Sequence, residues 1–290
     1  MIREIVIVSG KGGTGKTSLA ASFAVLAGNA VIADCDVDAA DLHLVLAPRL
    51  LERHEFMSGN EAVIRPADCT ACGLCRELCR YGAVVEDQGK FAIDPVSCEG
   101  CGVCVRFCPA KAIDFPERSC GEWMISETRC GTLFHARLKA AAENSGKLVT
   151  TVRRAARRRA EETSAPLLLV DGPPGIGCSV IASLTGATLA AVVTEPTVSG
   201  EHDLKRVLAL ARHFKVPAAV CVNKWDINTS VTERIERAAV AADASLAGRV
   251  RYDKGVTTAQ LRGMAVVETE AVSTEDIRQV WRRLAGLISA

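Results

Sequence analysis

The segment "GKGGTGKT", Gly10 to Thr17, follows a β-branched run and precedes a helical one. It satisfies G-x-x-x-x-G-K-[ST], a spacing that works as a loop between a strand and a helix. The glycines let backbone N–H groups curl around a phosphate, and the following helix adds the positive end of its dipole. Lys16 is spaced to reach the β- and γ-phosphates, and the Thr17 hydroxyl to bind Mg²⁺. The phosphate-contacting candidates are therefore Gly10, Gly12, Gly13, Thr14, Gly15, Lys16, Thr17 and Ser18.

The rest of the chain supplies the frame that such a loop needs. "EIVIVSG", "AVIADCD", "PLLLVDG", "LAAVVTE" and "AAVCVNK" are short apolar runs that predict buried strands. "KTSLAASFAVLAG", "VDAADLHLVL", "TLFHARLKAAAEN", "KLVTTVRRAARRRAEE" and "SGEHDLKRVLALARHF" predict helices between them. "STEDIRQVWRRLAGLIS" closes the chain as a helix, with Ser273 and Asp276 spaced as a capping box. Strand alternating with helix predicts an α/β fold with a mostly parallel sheet and helices on both faces.

That alternation is interrupted. "CTACGLCRELC" spans Cys69 to Cys79, and "CEGCGVCVRFC" repeats it 29 residues later, from Cys98 to Cys108. We read residues 61–117 as a small α+β insert between two parts of the α/β domain, 1–60 and 118–290. A loop with Cys at i, i+3 and i+6 wraps three corners of an iron–sulfur cube, and the fourth Cys of each run ligates the other cluster. On that rule Cys69, Cys72, Cys75 and Cys108 hold one [4Fe–4S] cluster, and Cys79, Cys98, Cys101 and Cys104 hold the second. Zinc prefers two separated Cys pairs, which these quartets do not supply. The stretch resembles the bacterial two-cluster ferredoxins, although Arg80 stands where they usually carry Pro; Pro109 keeps their pattern. The resemblance implies a low-potential one-electron carrier.

Lys11, a second lysine just after the first glycine, resembles the signature of the MinD- and nitrogenase-iron-protein-type P-loop ATPases. "ADCDVDAADL" resembles that superfamily's first switch and "LLLVDGPPG" its Walker B strand and second switch. The resemblance covers nearly the whole chain and implies ATP hydrolysis in a nucleotide-dependent homodimer, with Lys11 reaching the partner's nucleotide. It implies that Asp34, with Asp36 as second candidate, positions the attacking water or the Mg²⁺ shell. Asp171 would hold Mg²⁺ through water, Gly175 would sense the γ-phosphate through its N–H, and Asn223 would touch adenine. N-K-x-D, Asn223 to Asp226, is also the guanine signature of GTPases; the resemblance favours ATP.

Five cysteines lie outside the quartets. Cys221 reads as core packing, and Cys35, between two aspartates, as a protonated thiol. Cys178 follows Asp171 by seven residues, the spacing of a cluster ligand in the nitrogenase iron protein. Paired with Cys130, or failing that Cys120, it would build a third, dimer-bridging [4Fe–4S] cluster. Asp38 and Asp41 read as capping or solvated. The arginines of "RRAARRR", Arg153 to Arg159, read as the wet face of an amphipathic helix, with an acidic protein partner as the alternative. The closing helix reads as a cover for the sheet, and the five histidines as ordinary.

The net charge of +1 and an aromatic content of 4% give no reason to expect nucleic acid. No run reaches the ~20 apolar residues of a membrane span, and no export signal is evident, which predicts a cytoplasmic protein. Thiols stay reduced there, so thirteen cysteines argue for metal or redox chemistry. The expected function is ATP-gated electron transfer to a redox or cluster-acceptor protein partner. The alternatives are an iron–sulfur assembly or carrier ATPase and a MinD-like redox-sensing positioning switch.

Overall fold

The computed structural model describes residues 2–139, 142 and 145–289. They form two compact units: Met1–His54, Glu122–Leu138 and Ser145–Ala290 in the first, Glu55–Gly121 and Lys139–Asn144 in the second. The second unit begins before residue 61 and ends after 117. Its outer limits are fixed by side chains on two long strands: Ser119 Oγ donates to Glu55, and Cys120 Sγ donates to the Ser58 carbonyl at 3.0 Å.

In chain order the elements are β1 (Arg3–Ser9), α1 (Lys16–Ala27), β2 (Val31–Asp34), α2 (Leu42–Leu46) and β3 (Arg49–Asn60). Then come β4 (Val63–Ile64), α3 (Leu74–Leu78), β5 (Val84–Asp87), β6 (Lys90–Ile93), α4 (Val103–Phe107) and β7 (Ile113–Asp114). They continue as β8 (Glu117–Thr128), β9 (Gly131–Leu138), α5 (Ser145–Glu162), β10 (Leu167–Pro174), α6 (Cys178–Leu184) and β11 (Leu189–Thr194). The chain closes with α7 (Val198–His213), β12 (Ala218–Asn223), α8 (Thr229–Ala241), β13 (Ser245–Val250), α9 (Gly255–Leu261) and α10 (Thr274–Ser289).

One nine-stranded sheet runs β13-β12-β11-β1-β10-β2-β9-β8-β3 and is parallel from β13 through β9. Its central strands are buried on both faces. Ile5, Ile7, Leu167 and Leu169 face a core shared with α1 and α10, while Val6, Val8, Leu168 and Val170 are equally buried on the other side. There α5, α6, α7 and α8 pack on β2, β10, β11 and β12. Chain order reverses around β1, so the loop that follows it opens at the switch point where α/β sheets bind ligands.

Three sequence expectations fail for identifiable reasons. The helix expected over Thr132–Asn144 is strand β9 as far as Leu138, because Leu133 and Phe134 pair with Ile32 and Ala33 in the sheet interior. Ala140, Ala141, Glu143 and Asn144 lie outside the described residues. The helix expected from Val37 starts only at Leu42, since the Asp34 carboxylate takes the N–H groups of Asp36 and Leu42 and pins the intervening turn. The capping box of α10 does not close: Ser273 Oγ donates to Asp253, and Asp276 is bound by Arg251. Leu284, Val280 and Ile277 of α10 are buried, and the helix covers the sheet as its stripe predicts.

The arginine run is also partly internal. Glu4 is fully buried, and Arg153 and Arg157 both bind its carboxylate. Arg153 Nη1 further donates to the carbonyls of Ala182 (2.9 Å) and Thr185 (2.7 Å). A buried carboxylate is tolerable only with such partners. Only Arg154 and Arg158 stay fully on the wet face. Among the described residues no helix is long and apolar enough to cross a membrane.

In the second unit β4 pairs antiparallel with β7, and β5 with β6. The helices α3 and α4 each begin after a glycine, Gly73 (φ 76°) and Gly102 (φ 71°), in the left-handed region that favours glycine. At Gly102 a Cβ would also press on the Phe115 ring at 3.3 Å. The small core of Ala62, Ile64, Val84, Phe91 and Ile113 is flanked by six cysteines of the two quartets.

Candidate functional sites

The loop after β1 lines a cleft of about 630 Å³, the size range of ligand pockets. Gly12 through Ser18 form one wall, and Asp36, Pro173, Pro174, Asn223 and Lys224 contribute to the others. Gly10 packs instead against α7, where a Cβ would meet Asp203 at 2.4 Å. The Ser18 hydroxyl accepts from Gln260 Nε2 (2.9 Å).

The charges in the cleft are concentrated on Lys16. Its Nζ donates to Asp171 Oδ1 at 2.7 Å and reaches Asp36 Oδ2 at 3.5 Å, with Lys16 6% and Asp171 1% exposed. Burial works against the ammonium, but Asp171, Asp36 and Asp34 outweigh it and raise the Lys16 pKa. Burial, then the charge of Asp171, pushes Asp34 well above the usual carboxylate range; burial also raises Asp36. Asp171 Oδ2 and Thr14 Oγ1 are buried without a hydrogen-bond partner among the described residues. Buried polar atoms normally have one, so these two fit a nucleotide phosphate and its Mg²⁺.

Asp34 and Asp36 differ in their surroundings. Both oxygens of Asp34 accept backbone N–H groups, from Asp36 at 3.1 Å and Leu42 at 3.2 Å. Asp34 is therefore engaged by backbone, while Asp36 lines the cleft. Asp38 and Asp41 also line the cleft, and Asp41 makes no side-chain cap on α2. The N–H of Gly175 donates to the Ser9 carbonyl at 2.8 Å.

Lys11 is tied within its own chain. Its Nζ lies 2.6 Å from Glu195 Oε1 and within 3.3 Å of the Thr197 and Ser199 hydroxyls. Lys224 takes the other Glu195 oxygen (3.1 Å) and the Gly13 carbonyl (3.0 Å). Burial pushes the Glu195 carboxyl up, yet the two lysines win and hold it below the usual range. Sequence reading missed Glu195, which carries no motif of its own. Its signal is positional: it ends the strand next to β1.

In the second unit, Cys69, Cys72, Cys75 and Cys108 line one cavity, walled by Ile64, Phe91 and Ile113. Three of these thiols come from the first quartet and one from the second. Cys108 Sγ accepts the N–H of Ala112 at 3.4 Å. Cys79, Cys98 and Cys104 pack against the same small core. Among the described residues no three His, Cys, Asp or Glu converge on a single metal ion. Four thiols around an apolar cavity suit the larger, softer multi-iron group.

Residues 5–266 match the CobQ/CobB/MinD/ParA nucleotide binding domain. The chain belongs to this family. The uncharacterized protein MJ0578 of Methanocaldococcus jannaschii is 35% identical over 237 residues, spanning 79% of this chain and 80% of that one. Among solved structures, the cell division ATPase MinD of Pyrococcus furiosus superposes with a TM-score of 0.58 at 18% identity, covering 99% of this chain and 100% of that one. The septum site-determining protein MinD of Pyrococcus horikoshii, complexed with Mg-ADP, gives 0.58 at 18% identity and 99% of each chain. At such identities the likeness shows the fold, a MinD-like α/β sheet.

Within this MinD/ParA-family fold Cys130 and Cys178 do not converge. β2 pairs with β10 at Asp34–Asp171 and with β9 at Ile32–Leu133. Cys130 thus lies before the start of the parallel strands and Cys178 beyond their end. Cys130 is 2% exposed inside the core, where burial pushes its thiol up. Cys120 is equally buried. The structure does not bring together the two cysteines of the bridging pair expected from sequence. On the two-cluster expectation, Cys130→Ser should leave iron unchanged, at about eight per chain on four-iron arithmetic. A loss of iron in that variant, by colorimetric assay, would restore the bridging site.

Cys35 and Cys221 are core residues of the same fold. Burial, reinforced by Asp34, pushes the Cys35 thiol up; burial takes Cys221 to about 12. Two residues of the N-K-x-D run bond to the backbone. Asn223 Nδ2 donates to the Thr14 carbonyl (2.8 Å), and Asp226 Oδ1 accepts the Tyr252 N–H (2.7 Å). Asp226 Oδ2 accepts no hydrogen bond among the described residues, so the preference for ATP rests on the likeness to MinD-type ATPases. ATP is therefore expected to displace a fluorescent adenine nucleotide at least roughly tenfold better than GTP, a gap of ~1.4 kcal/mol. Equal competition would contradict it.

Proposed function

We propose that this chain is an ATPase whose nucleotide state governs electron delivery from two [4Fe–4S] clusters to a protein partner. The observation that carries the reading is the cavity lined by Cys69, Cys72, Cys75 and Cys108, on the same polypeptide as a Lys16–Asp171 phosphate cleft. Cys79, Cys98, Cys101 and Cys104 would hold the second cluster. When bound, the clusters supply one-electron exchange.

The residues of the cleft divide the work of ATP hydrolysis. Lys16 leaves Asp171 for the β/γ-phosphates, and Thr17 with Asp171 holds Mg²⁺. Asp36 orients the attacking water. Lys11 leaves Glu195 and reaches the nucleotide of a second copy, adding positive charge where it develops in the transition state. The exchange of Glu195 for a phosphate makes dimer closure depend on bound ATP.

Lys11→Ala tests this step. Nucleotide binding should persist, while phosphate release falls by about 10³-fold and ATP-dependent dimers vanish in light scattering. Unchanged turnover would contradict the role. The MinD-like fold favours a second reading, a nucleotide-driven positioning switch. That reading gains if ATP changes partner binding while every cluster property stays constant. Transfer of iron to an apo-acceptor would point to cluster delivery.

A further inference from the structure

Resting on the cluster reading above, we propose that Arg118 raises and Glu61 partly offsets the reduction potential of the cluster held by Cys79, Cys98, Cys101 and Cys104, and that Arg118, in direct contact with the ligand loop, makes it the higher of the two. Arg118 Nη1 donates to the carbonyl of Cys98, the first ligand of the second quartet, at 3.2 Å. Its Nε lies 3.8 Å from Glu61 Oε2, and the two side chains are only 20% and 28% exposed. The backbone fixes this pair, because the Glu61 N–H donates to the Pro116 carbonyl at 3.0 Å. The guanidinium is therefore clamped beside the ligand loop in a partly dehydrated place, where a charge acts more strongly than in bulk water.

An added electron makes a cluster more negative. A fixed cation on its ligand loop favours that state, and a carboxylate opposes it; net charge and hydrogen bonding are known levers on cluster potential. Among the described residues the other cluster has only a more exposed counterpart: Arg65 Nη2 donates to the carbonyl of Lys111, three residues past Cys108, at 2.7 Å. Arg76 in the first quartet is bound by Glu86 at 2.5 Å and is 59% exposed. Arg65 is 40% exposed and shared between Asp68 and Asp114. The 29-residue repeat puts Gly89 where the second copy has Arg118. The duplication is thus broken electrostatically at one cluster.

The test uses full-length protein purified without oxygen, with Cys72→Ser serving to assign the signal of the second cluster. Redox titration followed by electron paramagnetic resonance reads each midpoint. Arg118→Gln should lower the reduced-to-oxidised ratio of the second cluster about tenfold at fixed ambient potential, ~59 mV for one electron. Glu61→Gln should move it the other way, and the first cluster should stay in place in both variants. Shifts of the same sign in both variants, equal shifts of both clusters, or no shift would overturn the inference while leaving the clusters themselves established. Protein devoid of iron and sulfide would overturn the cluster reading, and this inference with it.

Discussion

Lys16→Ala is expected to abolish nucleotide hydrolysis and also to destabilise the nucleotide-free protein by roughly 3–5 kcal/mol, the range for stripping one partner from a buried ion pair. The second effect separates this site from an ordinary phosphate loop. Lys16 is the cation that Asp171 binds at 2.7 Å, and Asp34, fully buried, adds to the same field. Without it two carboxylates remain out of water with no countercharge. Asp34 already has its folded pKa raised above the unfolded value by burial and by Asp171, so the folded state binds the extra proton. The variant should therefore regain stability as pH falls through that raised pKa and lose it as pH rises. Urea midpoints between neutral and mildly acidic pH measure both. A midpoint equal to wild type at neutral pH would mean the carboxylates do not depend on Lys16.

The second large effect concerns iron. Cys72→Ser and Cys108→Ser are each expected to cut iron from about eight to about four per chain, because a four-iron cluster needs its full thiolate set. The two substitutions are far apart in sequence but line one cavity. Their double variant should still retain about four irons, whereas Cys72→Ser combined with Cys79→Ser should retain almost none. This non-additivity reports the ligand exchange between quartets directly. If the Cys72/Cys108 pair emptied the protein and the Cys72/Cys79 pair did not, each quartet would hold its own cluster.

Much of this was legible in the sequence. The phosphate loop, the apolar strands around it and the duplicated quartets depend on local patterns, and local patterns survive folding. What escaped depends on contacts that no window of sequence contains. Strand β9 looks helical until Leu133 and Phe134 are placed against β2. Arg153 and Arg157 look solvated until Glu4, at the other end of the chain, is found buried between them. The resemblance ranks Asp34 ahead of Asp36 but carries no sign of which carboxylate the backbone takes up. The backbone of Leu42 reaches Asp34. Cys178 has a ligand-like spacing from Asp171, yet the register of a parallel sheet puts it at the opposite end from Cys130.

Midpoint potentials of anaerobic protein, measured with ADP and with a non-hydrolysable ATP analogue, probe the coupling of nucleotide to clusters most directly. A shift between the two nucleotides that disappears in Lys16→Ala is the predicted result. Identical potentials in both nucleotide states, in protein that carries its full iron, would contradict it.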